Sequence, residues 1–267
     1  MSEARRVRPP AVAGTFYPAD PGALRAAVQR SFAAAVPVEG ATTAPAALVV
    51  PHAGYVYSGP VAATAYTHLA EHRATVRRVV LLGPSHRVPL RGLGLSSAEG
   101  WRTPLGTVAV DHDRDAELLG LPVVAVDDRA HAPEHSLEVQ VPFLQAVLDE
   151  FRLVPVIVGD ASADEVVAAL DVLWGGPETV VVVSTDLSHY HRHRDAQRLD
   201  ARTAAAIVAR DGAAIGDRDA CGARPLRGLL EAAVRHDLSV QSLDLRTSGD
   251  TAGDLTSVVG YGAFALA

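Results

Sequence analysis

Residues 180–189 read Val-Val-Val-Val-Ser-Thr-Asp-Leu-Ser-His. Four successive β-branched residues that do not alternate with polar ones indicate a strand buried on both faces. The apolar run stops at Ser184-Thr185-Asp186, so polar chemistry starts where the strand ends. The same grammar recurs outward from it. Ala47–Val50 leads into Pro51-His52, and Val79–Leu82 leads into Gly83-Pro84-Ser85-His86. Val154–Val158 is a further strand, and Leu238–Leu245 and Ser257–Leu266 read as two closing ones. Helical spacing fills the gaps. Pro21–Ala35 sets Leu24, Val28 and Phe32 on one face, with Asp20 as cap and Pro21 in the first turn. Pro60–His68, Leu137–Leu148, Ala163–Leu173, Asp195–Arg210 and Cys221–His236 are the other predicted helices. The Ala-rich stretch from Phe32 to Ala47 ends one helix and loops into a strand. Such alternation predicts an α/β fold with a central, largely parallel sheet flanked by helices. No compositional shift marks a boundary, so residues 1–267 are expected to form a single domain, with 1–8 as a flexible tail.

Composition excludes several classes. Apolar residues make up 48% and charged residues 21%, which rules out general disorder. A formal charge of −7 gives no basic surplus for nucleic acid. One cysteine, Cys221, excludes an intramolecular disulfide and a Cys-rich zinc module, and fits a cytoplasmic location. No stretch reaches the roughly 20 apolar residues of a membrane helix, and the N-terminus has no secretory apolar core.

In open α/β sheets ligands gather beyond the carboxyl ends of the strands. Three apolar strands here end in histidine-bearing motifs, PHAGYVYSG at His52, GPSH at His86 and STDLSH at His189, with Asp186 beside the last. Imidazoles on a rigid rim suit a metal or acid/base site. In HAPEHSLEVQ, His135 sits at a helix amino end, which favours the neutral ring. The same motif also reads as Ser136 or His135 capping the helix, with Glu138 reaching back. His191 and His193 read as solvated. Asp250 and Asp254 are either metal carboxylates or turn residues, and Cys221 is a small buried residue or a thiol nucleophile.

These motifs, with Gly14-Thr15-Phe16-Tyr17-Pro18, the CGARP around Cys221 and the SGDTAGD around Asp250, resemble the Memo family from about Arg8 to Ala267. Its bacterial and archaeal members are usually labelled AmmeMemoRadiSam system protein B. The resemblance implies a fold like that of class III extradiol dioxygenases, with His52 and His86 as metal ligands and His189 as the acid/base. Animal relatives carry a cysteine in the tail motif where Thr251 stands here, so Asp250 is the expected third ligand.

Three functions follow as expectations. One is a non-haem Fe(II) oxidoreductase resembling the dioxygenases. In it His52, His86 and Asp250 hold one divalent metal, His189 and Asp186 handle protons, and His135 contacts substrate or oxygen. Tyr55, Tyr57 and Trp101 then wall an aromatic substrate, unless they are ordinary loop packing. The second is a non-catalytic module binding a metal, copper included, or a peptide, with the AMMECR-type and radical SAM partners that the family label implies. The third is zinc-dependent hydrolysis. No nucleic-acid or membrane partner is expected.

Overall fold

The computed structural model describes residues 6–37 and 44–267. The expected tail at residues 1–5 and the centre of the Ala-rich loop, 38–43, lie outside the described residues. In chain order the strands are β1 (Val7–Arg8), β2 (Ala47–Val50), β3 (Arg78–Pro84), β4 (Leu93–Leu95), β5 (Gly100–Thr103) and β6 (Gly106–Val110). Then come β7 (Val124–Val126), β8 (Arg152–Val158), β9 (Thr179–Ser184), β10 (His189–His191), β11 (Val240–Thr247) and β12 (Val258–Leu266). The helices are α1 (Pro21–Ala33), α2 (Tyr55–Thr67), α3 (Asp115–Leu118), α4 (Asp128–His131) and α5 (Val141–Val147). They continue with α6 (Ala163–Leu173), α7 (His193–Val208), α8 (Ala223–Arg235) and α9 (Ser248–Ala252).

One sheet orders the strands β1-β5-β6-β8-β3-β9-β2-β12-β10, with β11 on β12 and the β4–β7 pair on β8. Its centre is parallel: β6, β8, β3, β9 and β2 run the same way. Their carboxyl ends therefore reach one rim. Pro84 pairs with Val158, and Val50 with Ser184.

The valine run shows why both faces are covered. Val180 and Val182 point into the apolar layer that holds Leu24, Tyr66 and Phe143 of α1, α2 and α5. Val181 and Val183 point into the other layer, with Leu170, Ile207 and Leu229 of α6, α7 and α8. Each of the four is at most 1% exposed, and burial of that kind is worth about 1.5–3 kcal/mol per side chain.

The structure departs from the sequence pattern in several places. α2 begins at Tyr55, ahead of Pro60, whose missing N–H falls inside the helix. The helix expected over 137–148 is a 3-10 turn, Glu138–Gln140, followed by α5. Residues 87–135 form an excursion between β3 and β8 whose short strands were not legible as a pattern. Finally, Val7 and Arg8 are not tail. They pair with β5, and Arg8 is 6% exposed. No helix among the described residues is long and apolar enough to cross a membrane.

Candidate metal centre

Pro51 and His52 follow β2 directly, and Ser85 and His86 follow β3. The third side chain, His135, arrives from the end of the excursion. Its loop lies hard against β3, because Gly83 has no side chain. A Cβ there would stand 2.8 Å from Leu137 Cδ2 and 3.0 Å from Ser136 Oγ. Ser136 Oγ donates to Pro84 O at 2.9 Å and fixes that approach.

His52, His86 and His135 each offer a ring nitrogen within 4.8 Å of the other two, so together they can hold one metal ion. Their ring centroids are 4.7–5.4 Å apart. The hydrogen bonds set the tautomers. Ser184 Oγ gives its proton to Ser136 O at 2.6 Å, so it accepts from His52 Nδ1 at 2.9 Å. Gln140 Nε2 donates to the same oxygen at 2.8 Å. A neutral His52 ring therefore carries its lone pair on Nε2. Burial, then the neighbouring rings of His86 and His135, hold the His52 pKa well below the usual histidine value. The ring is thus kept in the form that binds metals.

Glu134 stands behind the other two rings. Its Oε1 lies 3.0 Å from His86 Nδ1 and 3.1 Å from His135 Nδ1. It also accepts from the backbone amides of His86 at 2.6 Å, and of His135 and Ser136 at 2.9 Å each. Burial raises its pKa, but the facing His135 and His86 rings outweigh burial and hold the carboxyl well below the usual range. An ionised carboxylate behind ligand imidazoles is the usual outer support of a metal site.

The group lines a cavity of about 990 Å³, together with Asp186, His189 and Cys221. His189 Nδ1 donates to Leu187 O at 2.7 Å, leaving Nε2 for proton exchange. Asp186 Oδ1 accepts from the His52 amide at 2.7 Å, and burial pushes its pKa up. Cys221 Sγ lies 3.2 Å from His52 Nε2. Burial, then the Asp186 carboxyl, push the thiol up to about 12, which disfavours the thiolate that a nucleophile needs.

Not every expected residue arrives. Asp250 is a helix cap: Oδ2 accepts from Thr247 N at 2.7 Å and from Thr247 Oγ1 at 3.0 Å. Its Oδ1 faces His193 Nε2 at 3.5 Å, so His193 is held in the tail cluster and is not solvated. Thr251 Oγ1 bonds Ser248 O. His135 stands in the imidazole group where a tail carboxylate was expected. Trp101 is also misplaced by the sequence reading. It is 1% exposed beneath the Arg8 guanidinium, 4.2 Å away, and against His131. Tyr55 is core, its hydroxyl donating to Val139 O at 2.6 Å, whereas Tyr57 does line the cavity. Glu138 is no capping residue. Its carboxylate takes Arg8 Nη1 at 2.7 Å, Tyr17 Oη at 2.6 Å and the amides of Ala11 and Val12. Glu134, Ser184 and Arg8 were missed as supports. The one available signal was the position of Glu134 directly before His135.

Comparison with known proteins gives the family. The family model described as Memo-like protein matches residues 8–265. A MEMO1 family protein of Methanopyrus kandleri is 42% identical, covering 96% of this chain and 97% of the relative. One of Sulfolobus acidocaldarius is 36% identical over the same shares. Among solved structures, the uncharacterized protein JW3007 from Escherichia coli K12 superposes with a TM-score of 0.51 at 13% identity. That match covers 82% of this chain and 98% of the other, and bears on the fold alone.

Proposed function

We propose that this chain, which belongs to the Memo-like family, holds one divalent metal ion on His52, His86 and His135 and works as a metal-dependent oxidoreductase on a small molecule, with Fe(II) as its metal. The observation that carries this reading is the convergence of three imidazoles, each with a ring nitrogen within 4.8 Å of the other two, whose Nδ1 atoms face Ser184 and Glu134. The residues present fit such an ion: three imidazole nitrogen donors, an outer carboxylate and a cavity for substrate. Fe(II) supplies the redox partner that dioxygen chemistry requires.

The chain's own residues do the rest. Asp186 fixes the His52 backbone through its amide. Phe16, with its ring centroid 4.6 Å from that of His135, shields the ring from water. His189, oriented by Leu187 O, takes or gives a proton at Nε2. The all-imidazole donor set favours one second reading, zinc-dependent hydrolysis with His189 as general base, since three histidines also make a catalytic zinc site.

The test is metal content by mass spectrometry after tag-free anaerobic purification. Near-stoichiometric iron, an Fe(II)–nitric oxide EPR signal and oxygen uptake with substrate support the oxidoreductase. Stoichiometric zinc shifts the assignment to hydrolysis. His52→Ala, His86→Ala and His135→Ala should each empty the site without unfolding the protein, and full metal content in all three would refute the site.

A further inference from the structure

The cavity has a second chemistry at its mouth. The chain holds only 5 Phe, 6 Tyr and 2 Trp, yet Phe16, Tyr57, Tyr190 and Tyr261 all line this one cavity. Tyr190 is 78% exposed and has a φ of 62°, in the left-handed region that side chains avoid. The register shift of β10 against β12, between His189 and His191, accompanies that turn. A strained backbone that presents an exposed ring at a cavity rim is the kind of local cost that function retains.

Beside these rings stand the cavity's two guanidinium groups, Arg87 and Arg218. Arg87 directly follows His86, and Arg218 lies three positions before Cys221, which touches His52. Both thus line the cavity that holds the imidazole group. Both are exposed, and among the described residues neither makes a hydrogen bond or an ion pair. The acidic lining residues do not claim them. Asp217 is engaged by Arg224 and Arg227, Asp254 takes the amide and hydroxyl of Thr256, and Asp186 is turned to the His52 amide.

We infer that the cavity's substrate is a small aromatic carboxylic acid, its ring among Tyr57, Tyr190 and Tyr261, its carboxylate on Arg87 and Arg218, and its reacting end toward the three histidines. This rests on the preceding reading of the histidines for the reacting end, but not for the anion. A guanidinium is the side chain best matched to a carboxylate, offering two parallel N–H donors. A volume of about 990 Å³ accommodates a substituted benzene ring with its solvent.

The test compares two probes that differ in the anion alone, 4-hydroxybenzoate and 4-methylphenol, by calorimetry on metal-loaded and metal-free protein. 4-Hydroxybenzoate should bind about tenfold or more tightly. In Arg87→Gln/Arg218→Gln that preference should fall below about threefold, with 4-methylphenol affinity and metal content unchanged. Equal binding of the two probes overturns the proposal. So does a preference that survives in the double variant, or the absence of any binding by protein that holds its metal. Competition by inorganic phosphate at the same concentration would also overturn it, since that marks a general anion site. An arginine-dependent preference that persists in metal-free protein supports the anion assignment even where metal analysis has refuted the metal centre.

Discussion

Two regions deliver the three imidazoles, and they are built differently. His52 and His86 stand on the tips of β2 and β3, strands locked by backbone hydrogen bonds to neighbours on both sides. His135 comes from the excursion, where position depends on buried charge. Arg8 reaches across from β1 to bind Glu138 and the carbonyls of His131 and Glu134. A backbone ladder tolerates side-chain changes, whereas a buried ion network fails when one member is removed. Substitutions in the second region should therefore loosen half of the centre while the sheet stays intact.

Arg8→Met should give the largest effect. It leaves the Glu138 carboxylate, 1% exposed, without its cation. Losing one partner of a buried pair costs about 3–5 kcal/mol. Hydrogen exchange should show the loss over residues 131–140 and spare β9. Equal loss in β9 would make the two regions one cooperative unit and break the comparison.

A pH dependence should come next. His131 on α4 is buried, with Nε2 3.0 Å from Gly94 O. Burial pulls its pKa down from 6.5 to about 4. The native ring stays neutral while the unfolded ring takes a proton below 6.5, so its contribution is complete above that pH. It is lost as pH falls toward 4, by about 2–4 kcal/mol across the window. Urea unfolding at pH 4.5 and 7 measures it, and His131→Asn should flatten the slope. An unchanged slope in the variant would assign the pH dependence to other groups.

Glu134→Gln sharpens the comparison at the point where both regions meet, since Glu134 ties His86 and His135 together. The amide keeps the shape but turns an N–H₂ toward donors. Metal affinity should fall about 10–100-fold, as for other outer-shell supports, in a chelator competition assay. Unchanged affinity would mean that the strand tips alone set the site.

The same contrast decided what the sequence could tell. Val180–Val183, Ala47–Val50 and Ala163–Leu173 were legible because strands covered on both faces and a helix capped by Ser162 and Glu165 are written in local order. His52, His86 and His189 were legible because a parallel sheet sends every such tip to one rim. The excursion was not, because β4, β5 and β7 span only three or four residues each, too short for a period to show. Nor was the role of Glu138, whose partners Arg8 and Tyr17 lie more than 120 positions away. Trp101 was set among the site aromatics because nothing local tells a buried indole from a wall of the pocket.

The smallest effect is the most discriminating. Asp250 sits three residues after Thr247, and the structure spends its carboxylate on the Thr247 amide and hydroxyl. Losing a cap of this kind costs about 0.5–2 kcal/mol. Asp250→Ala should therefore lower the stability of the tail by about 1 kcal/mol and leave the His193 ring on Thr247 Oγ1 alone, with metal content unchanged. Loss of metal in Asp250→Ala, with His135→Ala still metallated, would reverse the assignment. The tail would then swing its carboxylate to the strand tips on loading, and the excursion would be a wall of the cavity without a ligand.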